Sequence, residues 1–452
     1  MIFGESMGNR FIIWALLFLI VYIPLEDFLL KILPVPGAVY IILRQGSEVI
    51  IYFLTALVIY YSLLFKEKIT FIKGRHNLFL LVFCVYAILI AFFSESSFMA
   101  GIKNLKAMVR YILLIYLIVA TINYSKFPIL AIKCIFYSSL FQVFIGFLQI
   151  LGGTPVKKFF APKELEKTDT DLITGFSTLD KLEVDIFGTI STTIGYGFFL
   201  IVGLSLLLVL KEKLIKSRSI RYLIYTSFLI CIYYCGSRVA LLGAIIPIFH
   251  QLYKWDKKKS IFLIGFGSIF TLLYGFYVAD PGSSNVSFWF IFSEGFVGKL
   301  ELQRLGLLLF VFVPFLSDRH LLFGLGPDKD YLVGYANSNF DIPFFFPDFY
   351  LYSIKDVYWF SLIIFYGVIG FLFFIAFYFE ILVGLLKRYK VSKSILNGTA
   401  LVAIYLGLIM IPLNLFNQAL EIRQISFYYW FLVAIVFSYT SPGSYISKSE
   451  KL

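Results

Sequence analysis

A chain of 452 residues that is 60% hydrophobic and 20% aromatic, with only 15% charged residues, is not composed like a soluble protein, which carries about 25% charged residues. Its formal charge of +12 would point to nucleic acid in a soluble chain. Here the basic residues fall in short segments between apolar runs, which is topological bias and not a binding groove.

Apolar runs of membrane-spanning length follow one another along the chain. In order they predict spans near 11–30, 48–65, 78–93, 107–122, 128–150, 188–210, 222–235, 238–253, 261–278, 357–386, 395–413 and 424–440. The first run begins without an A-x-A-like cleavage site and is read as a retained helix. The expected fold is all-α: one polytopic membrane domain over 1–452, with about 12 transmembrane helices. Cys84, Cys134, Cys231 and Cys235 lie within apolar runs and form neither a disulfide framework nor a metal-ligand spacing.

The segments between spans differ in charge. Residues 66–76, 211–221, 254–259 and 387–393 each carry at least four Lys or Arg and at most one acid. Two long polar insertions are acidic: 154–187 has seven acids against five bases, and 279–356 has nine against five. The positive-inside rule places the four basic segments in the cytoplasm. Twelve spans with both termini cytoplasmic then put both insertions outside, with 279–356 forming a long external loop before the tenth span.

The run from Tyr222 to Tyr253 contains Arg238 in YYCGSRVALLGA. As one helix it would be about 48 Å long at about 1.5 Å per residue, against a hydrocarbon core of about 30 Å. Both flanks are basic and prefer one side, so two crossings are expected, turning at Cys-Gly-Ser. That moves Arg238 to the outer end of a hairpin, away from the bilayer midplane, where a charge costs about 2.5–3.5 kcal/mol or more.

The external loop carries KLELQRLGLLLF, then LLFGLGP, then an aromatic stretch that includes FFFPDFYLY. GLGP is read as a tight turn, and the chain holds neither a P-loop nor a dinucleotide fingerprint. The order SRVALL (237–242), an arginine opening an amphipathic run, LLFGLGP, Asp-x-Tyr and FYGVIGFLFF (365–374) resembles the O-antigen polymerase and ligase superfamily over roughly 185–390. The resemblance implies a GT-C-like (type B) membrane glycosyltransferase whose site includes the external loop and its amphipathic helix. Its substrates would be undecaprenyl-diphosphate-linked oligosaccharides, and its place the bacterial cytoplasmic (inner) membrane, with the active site on the periplasmic side. No cofactor or metal is implied; a chain-length regulator protein is a partner the resemblance allows.

Carried over residue by residue, the resemblance makes Arg238 and Arg304 ligands of the lipid diphosphate. A guanidinium is suited to that role because it is always charged and bonds phosphate oxygens bidentately. The alternatives are an interfacial arginine snorkelling to headgroups for Arg238 and the charged face of a surface helix for Arg304. Asp356, eleven residues before Gly367, stands where ligases carry a His-Asn pair. It could orient or deprotonate the acceptor hydroxyl, or simply favour a helix N-terminus. The missing histidine points to a polymerase over a ligase. Arg423 is a third candidate for the diphosphate, or a partner of Glu421; His320 is a candidate base, or a solvated loop histidine. A flippase or transporter of lipid-linked sugars is the rival from another class. It needs charges inside several spans, whereas the candidates here cluster at one face.

Overall fold

Among the described residues the apolar runs fold as helices and no strand occurs. The computed structural model describes residues 7–33, 39, 43–64, 74–121, 126–161, 185–190, 192–255, 304–343, 351–352, 354, 357–391 and 395–439. The expected span 261–278 lies outside them. Among the described residues five helices are long and apolar enough to cross a membrane, and a sixth results if the bent pair near the start counts as one span.

Helix α1 (Met7–Tyr22) turns sharply into α2 (Glu26–Ile32), a bend of 78° where sequence periodicity suggests one continuous span. Helix α3 (Gly46–Leu64), α4 (Arg75–Phe93), the amphipathic α5 (Phe98–Val109) and the short α6 (Leu113–Thr121) follow. The expected span 107–122 is thus split at Arg110–Ile112. Helix α7 (Phe127–Phe160) breaks at Gly153, just before Pro155. Helices α8 (Thr193–Leu210), α9 (Arg218–Tyr234) and α10 (Arg238–Trp255) come next, then α11 (Lys329–Asn339), α12 (Tyr358–Val391), α13 (Ile395–Phe416) and α14 (Arg423–Tyr439).

Two helices form the centre. Every residue from Gln424 to Phe437 of α14 and from Gly195 to Leu207 of α8 is buried, as expected of helices apolar all round. Helix α14 packs on α6 and α13, α8 on α7, α10 and α13, and α12 on α4 and α13. On the outer helices the exposed residues are large and apolar: Phe11, Trp14, Phe18 and Val21 on α1, and Leu78, Leu81, Val85, Leu89 and Phe92 on α4. Their i, i+3, i+4, i+7 spacing gives continuous apolar stripes. Such patches would drive aggregation in water but match lipid tails in a bilayer.

The run from Tyr222 to Tyr253 is two helices. Helix α9 ends at Tyr234, Cys235–Ser237 intervene, and Arg238 is the first residue of α10, with Ser237 Oγ accepting from Ala240 N at 3.3 Å. Each helix is about 26 Å long at about 1.5 Å per residue. Gly236 has φ +64°, and a Cβ there would lie 2.1 Å from Asp185 Oδ1. Gly236→Ala should therefore lower stability by about 1–3 kcal/mol, the usual cost of a left-handed non-glycine residue. A melting curve of the detergent-solubilised protein checks this.

Helix ends sort into two sets. Ile186 N bonds Tyr234 O at 3.0 Å and Thr189 Oγ1 bonds Pro24 O, joining the turn between α9 and α10 to the end of α1. The beginnings of α3, α6 and α14 meet at the same place through the side chains described below. The opposite termini of these and neighbouring helices, Leu64, Arg75, Leu210, Arg218, Trp255 and Val391, lie at the other end of the bundle and are next in sequence to the four basic segments.

Candidate functional site

At the end away from the basic segments, five charged side chains from separate parts of the chain meet. Glu26 opens α2 and Glu48 lies in the first turn of α3, where the helix dipole favours carboxylates. Lys106 lies in the last turn of α5, Arg110 at the junction of α5 and α6, and Arg423 opens α14. Arg423 is on the wrong side of its own helix dipole and is held by carboxylates instead. Its Nη1 is 3.4 Å from Glu26 Oε2 and its Nε 3.8 Å from Glu48 Oε1. Lys106 Nζ is 2.9 Å from Glu48 Oε2, and Arg110 Nη1 bonds Glu48 Oε1. Arg110 Nη2 donates to Glu421 O, Arg423 Nη1 to Arg44 O, and Ser47 Oγ to Glu26 Oε1 at 3.5 Å.

Burial grades outward through this cluster. Glu26 and Glu48 are 1% and 4% exposed, against 11% for Arg110, 21% for Arg423 and 40% for Lys106. Removing each charge from water costs several kcal/mol, about, even after relaxation, and mutual attraction repays it only with good geometry. Both oxygens of Glu48 are engaged. The carboxylates make a floor and the basic groups a rim, with three cations over two anions. That arrangement suits an anionic ligand: Lys and Arg offer charge-assisted hydrogen bonds to phosphate or carboxylate oxygens.

A second assembly fixes the loop before α12. Residues 321–326 run antiparallel to residues 364–369 of α12, where Gly367 (φ 66°) interrupts the helix. Leu325 N and Gly326 N donate to Ile364 O and Phe365 O at 2.8 and 3.0 Å, and Val368 N donates to Leu321 O at 2.9 Å. GLGP and GVIG, read separately in the sequence, thus meet backbone to backbone. Asp328 caps α11, accepting from Asp330 N at 3.0 Å, and also accepts from Ser97 N at 3.0 Å. Tyr331 donates to Glu95 Oε2 at 2.8 Å and Tyr335 to Asp318 Oδ2 at 2.7 Å. Burial, then the bond to Glu95, push the Tyr331 hydroxyl up to about 12, so it stays a donor.

The residues singled out in the sequence are distributed unevenly. Arg423 belongs to the charged cluster, paired with Glu26 and Glu48, while the Glu421 backbone carbonyl accepts from Arg110. His320 lies in the loop before GLGP: its Nε2 accepts from Arg319 Nε at 3.1 Å and its ring meets Tyr335 edge-on. Arg238 is the first residue of α10 and Arg304 the first of a short helical segment, 304–315; their side chains lie outside the described residues, as does Asp356. Among the described residues no three His, Cys, Asp or Glu come together as metal ligands.

Glu26, Glu48, Lys106 and Arg110 were not picked out from the sequence. The signal was present, since Glu26, Glu48 and Arg110 each fall inside an expected span, where an ionisable residue is by default a functional candidate.

The described residues form an all-helical fold with the helix lengths and apolar surface of a membrane protein, carrying a buried charge cluster at one end. No protein-family model matches the chain, and no curated protein matches it.

Proposed function

We propose that this chain is a membrane glycosyltransferase of the GT-C type that polymerises a polysaccharide from undecaprenyl-diphosphate-linked repeat units. In this reading it has twelve spans in the bacterial inner membrane and both termini in the cytoplasm. The observation that supports it is the convergence of Lys106, Arg110 and Arg423 at the end of the bundle opposite the basic segments. There the growing glycan's anomeric carbon loses its bond to the diphosphate oxygen, which leaves with the electron pair. A hydroxyl of the incoming unit forms the new glycosidic bond and gives up its proton, with Asp356 as the candidate acceptor. Charge grows on the departing diphosphate, so fixed cations beside it act on the transition state. In this reading Arg238 and Arg304, carried over from the family resemblance, are further diphosphate ligands.

The test is polymerisation by the purified full chain in lipid nanodiscs, supplied with lipid-linked repeat units. A ladder of products is expected, and Arg423→Ala should leave single units. Transfer of one finished glycan to a different acceptor would instead indicate a ligase. Cysteine labelling of one cluster position from both sides of the membrane would indicate a flippase.

A further inference from the structure

The reaction above uses the rim of the cluster and leaves its floor unexplained. Glu48 touches all three basic groups: Lys106 through Oε2, and Arg110 and Arg423 through Oε1. It is more buried than any of them. Three like charges brought this close repel one another, and in a low-dielectric site that repulsion is strong. A carboxylate beneath them offsets it and fixes their geometry. Engaged on Glu48, the ammonium of Lys106 keeps two further donors and each guanidinium keeps several. Arg110 Nε is a buried N–H with no partner among the described residues. The donors left over exceed what the carboxylates accept, and they belong to the more exposed groups.

We infer that Glu48 is a positioning residue for a diphosphate: it holds Lys106, Arg110 and Arg423 as one preorganised cradle that the ligand enters from the Lys106 side. The inference rests on the reading of the cluster as a diphosphate site. It differs from the opposite role, in which Glu48 would occupy the cations and compete with the ligand. Its depth argues against competition, because a carboxylate displaced from this floor has no water to enter. Glu26 plays the corresponding part for Arg423 alone, with Ser47 behind it.

The test uses the full chain in nanodiscs, with undecaprenyl diphosphate as the binding probe and lipid-linked repeat units as substrate. Glu48→Gln is expected to weaken probe binding and raise the donor KM about tenfold or more, as loss of a buried charge partner does, with a much smaller change in kcat. Glu48→Asp should restore most of the affinity. Unchanged KM in a folded Glu48→Gln protein, or tighter probe binding, overturns the assignment; so does a fall in kcat and melting temperature with KM untouched. Should Glu48→Gln fail to fold, Lys106→Gln carries the test at the exposed rim: its KM must rise while its melting temperature holds, and an unchanged KM overturns the cradle. A wild-type chain that neither binds the probe nor makes polymer overturns the underlying reading as well, which separates the two failures.

Discussion

Arg110→Ala is expected to be the most damaging single substitution in the charged cluster. One guanidinium bonds Glu48 through Nη1 and the Glu421 carbonyl through Nη2, and it lies 5.0 Å from the centroid of the Tyr111 ring. Its loss takes the hydrogen bond from Glu48 Oε1, which keeps only Arg423 Nε at 3.8 Å while Lys106 stays on Oε2, and strands the Glu421 carbonyl. Breaking a buried pair from one side costs about 3–5 kcal/mol where the remaining charge is uncompensated. Lys106 and Arg423, still on Glu48, hold the cost here below that. Removing both partners behaves differently: an apolar pair of similar volume is often neutral or stabilising. The Glu48→Leu, Arg110→Leu double variant should therefore be at least as stable as Arg110→Leu alone, while still making no polymer. Denaturation midpoints of the two singles and the double close a mutant cycle whose coupling reports the contact directly. Additive singles would mean that Glu48 and Arg110 do not share the energy their geometry implies. A stable double variant that still polymerises would remove the cluster from the reaction.

Much of the helical framework could be read from apolar runs and charge alone, because in a membrane those two quantities set where helices begin and end. The break at Cys235–Ser237 is an example: helix length against bilayer thickness, and two basic flanks, required it. Three features were out of reach for identifiable reasons. The 78° bend between α1 and α2 follows Ile23-Pro24, but apolarity continues across it, so hydropathy sees one run. Helix α5 is amphipathic and lies beside the expected span at 107–122, which disguises the junction that carries Arg110. The pairing of Arg423 with Glu26 links residues 397 apart; local spacing suggested Glu421, two residues away, because sequence proximity is the only geometry a sequence displays. Arg238, Arg304 and Asp356 came from motif order. Arg423 came from its place between the last two expected spans, and tertiary contact joins it to the charge cluster.

The loop that carries GLGP should depend on two glycines as strictly as the cluster depends on its charges. A Cβ on Gly367 would lie 2.1 Å from Leu322 O, and one on Gly324 would lie 2.4 Å from Phe365 O. Both have positive φ, 66° and 86°, so alanine is strained at either site by about 1–3 kcal/mol before any overlap is counted. The overlap is with backbone, which cannot rotate away. Gly367→Ala must therefore push residues 321–326 off α12, and the amides of Leu325, Gly326, Val368 and Ile369 should lose protection together in hydrogen–deuterium exchange. Gly334→Ala is the control. It lies in α11 with nothing within 4 Å of a Cβ, and alanine there should be neutral or stabilising by up to about 1 kcal/mol. If exchange at the four amides is unchanged in Gly367→Ala, the backbone lock does not hold the loop. If they open as one unit, then Asp318, His320 and α11, all reached through that loop, owe their position to the meeting of two short glycine turns.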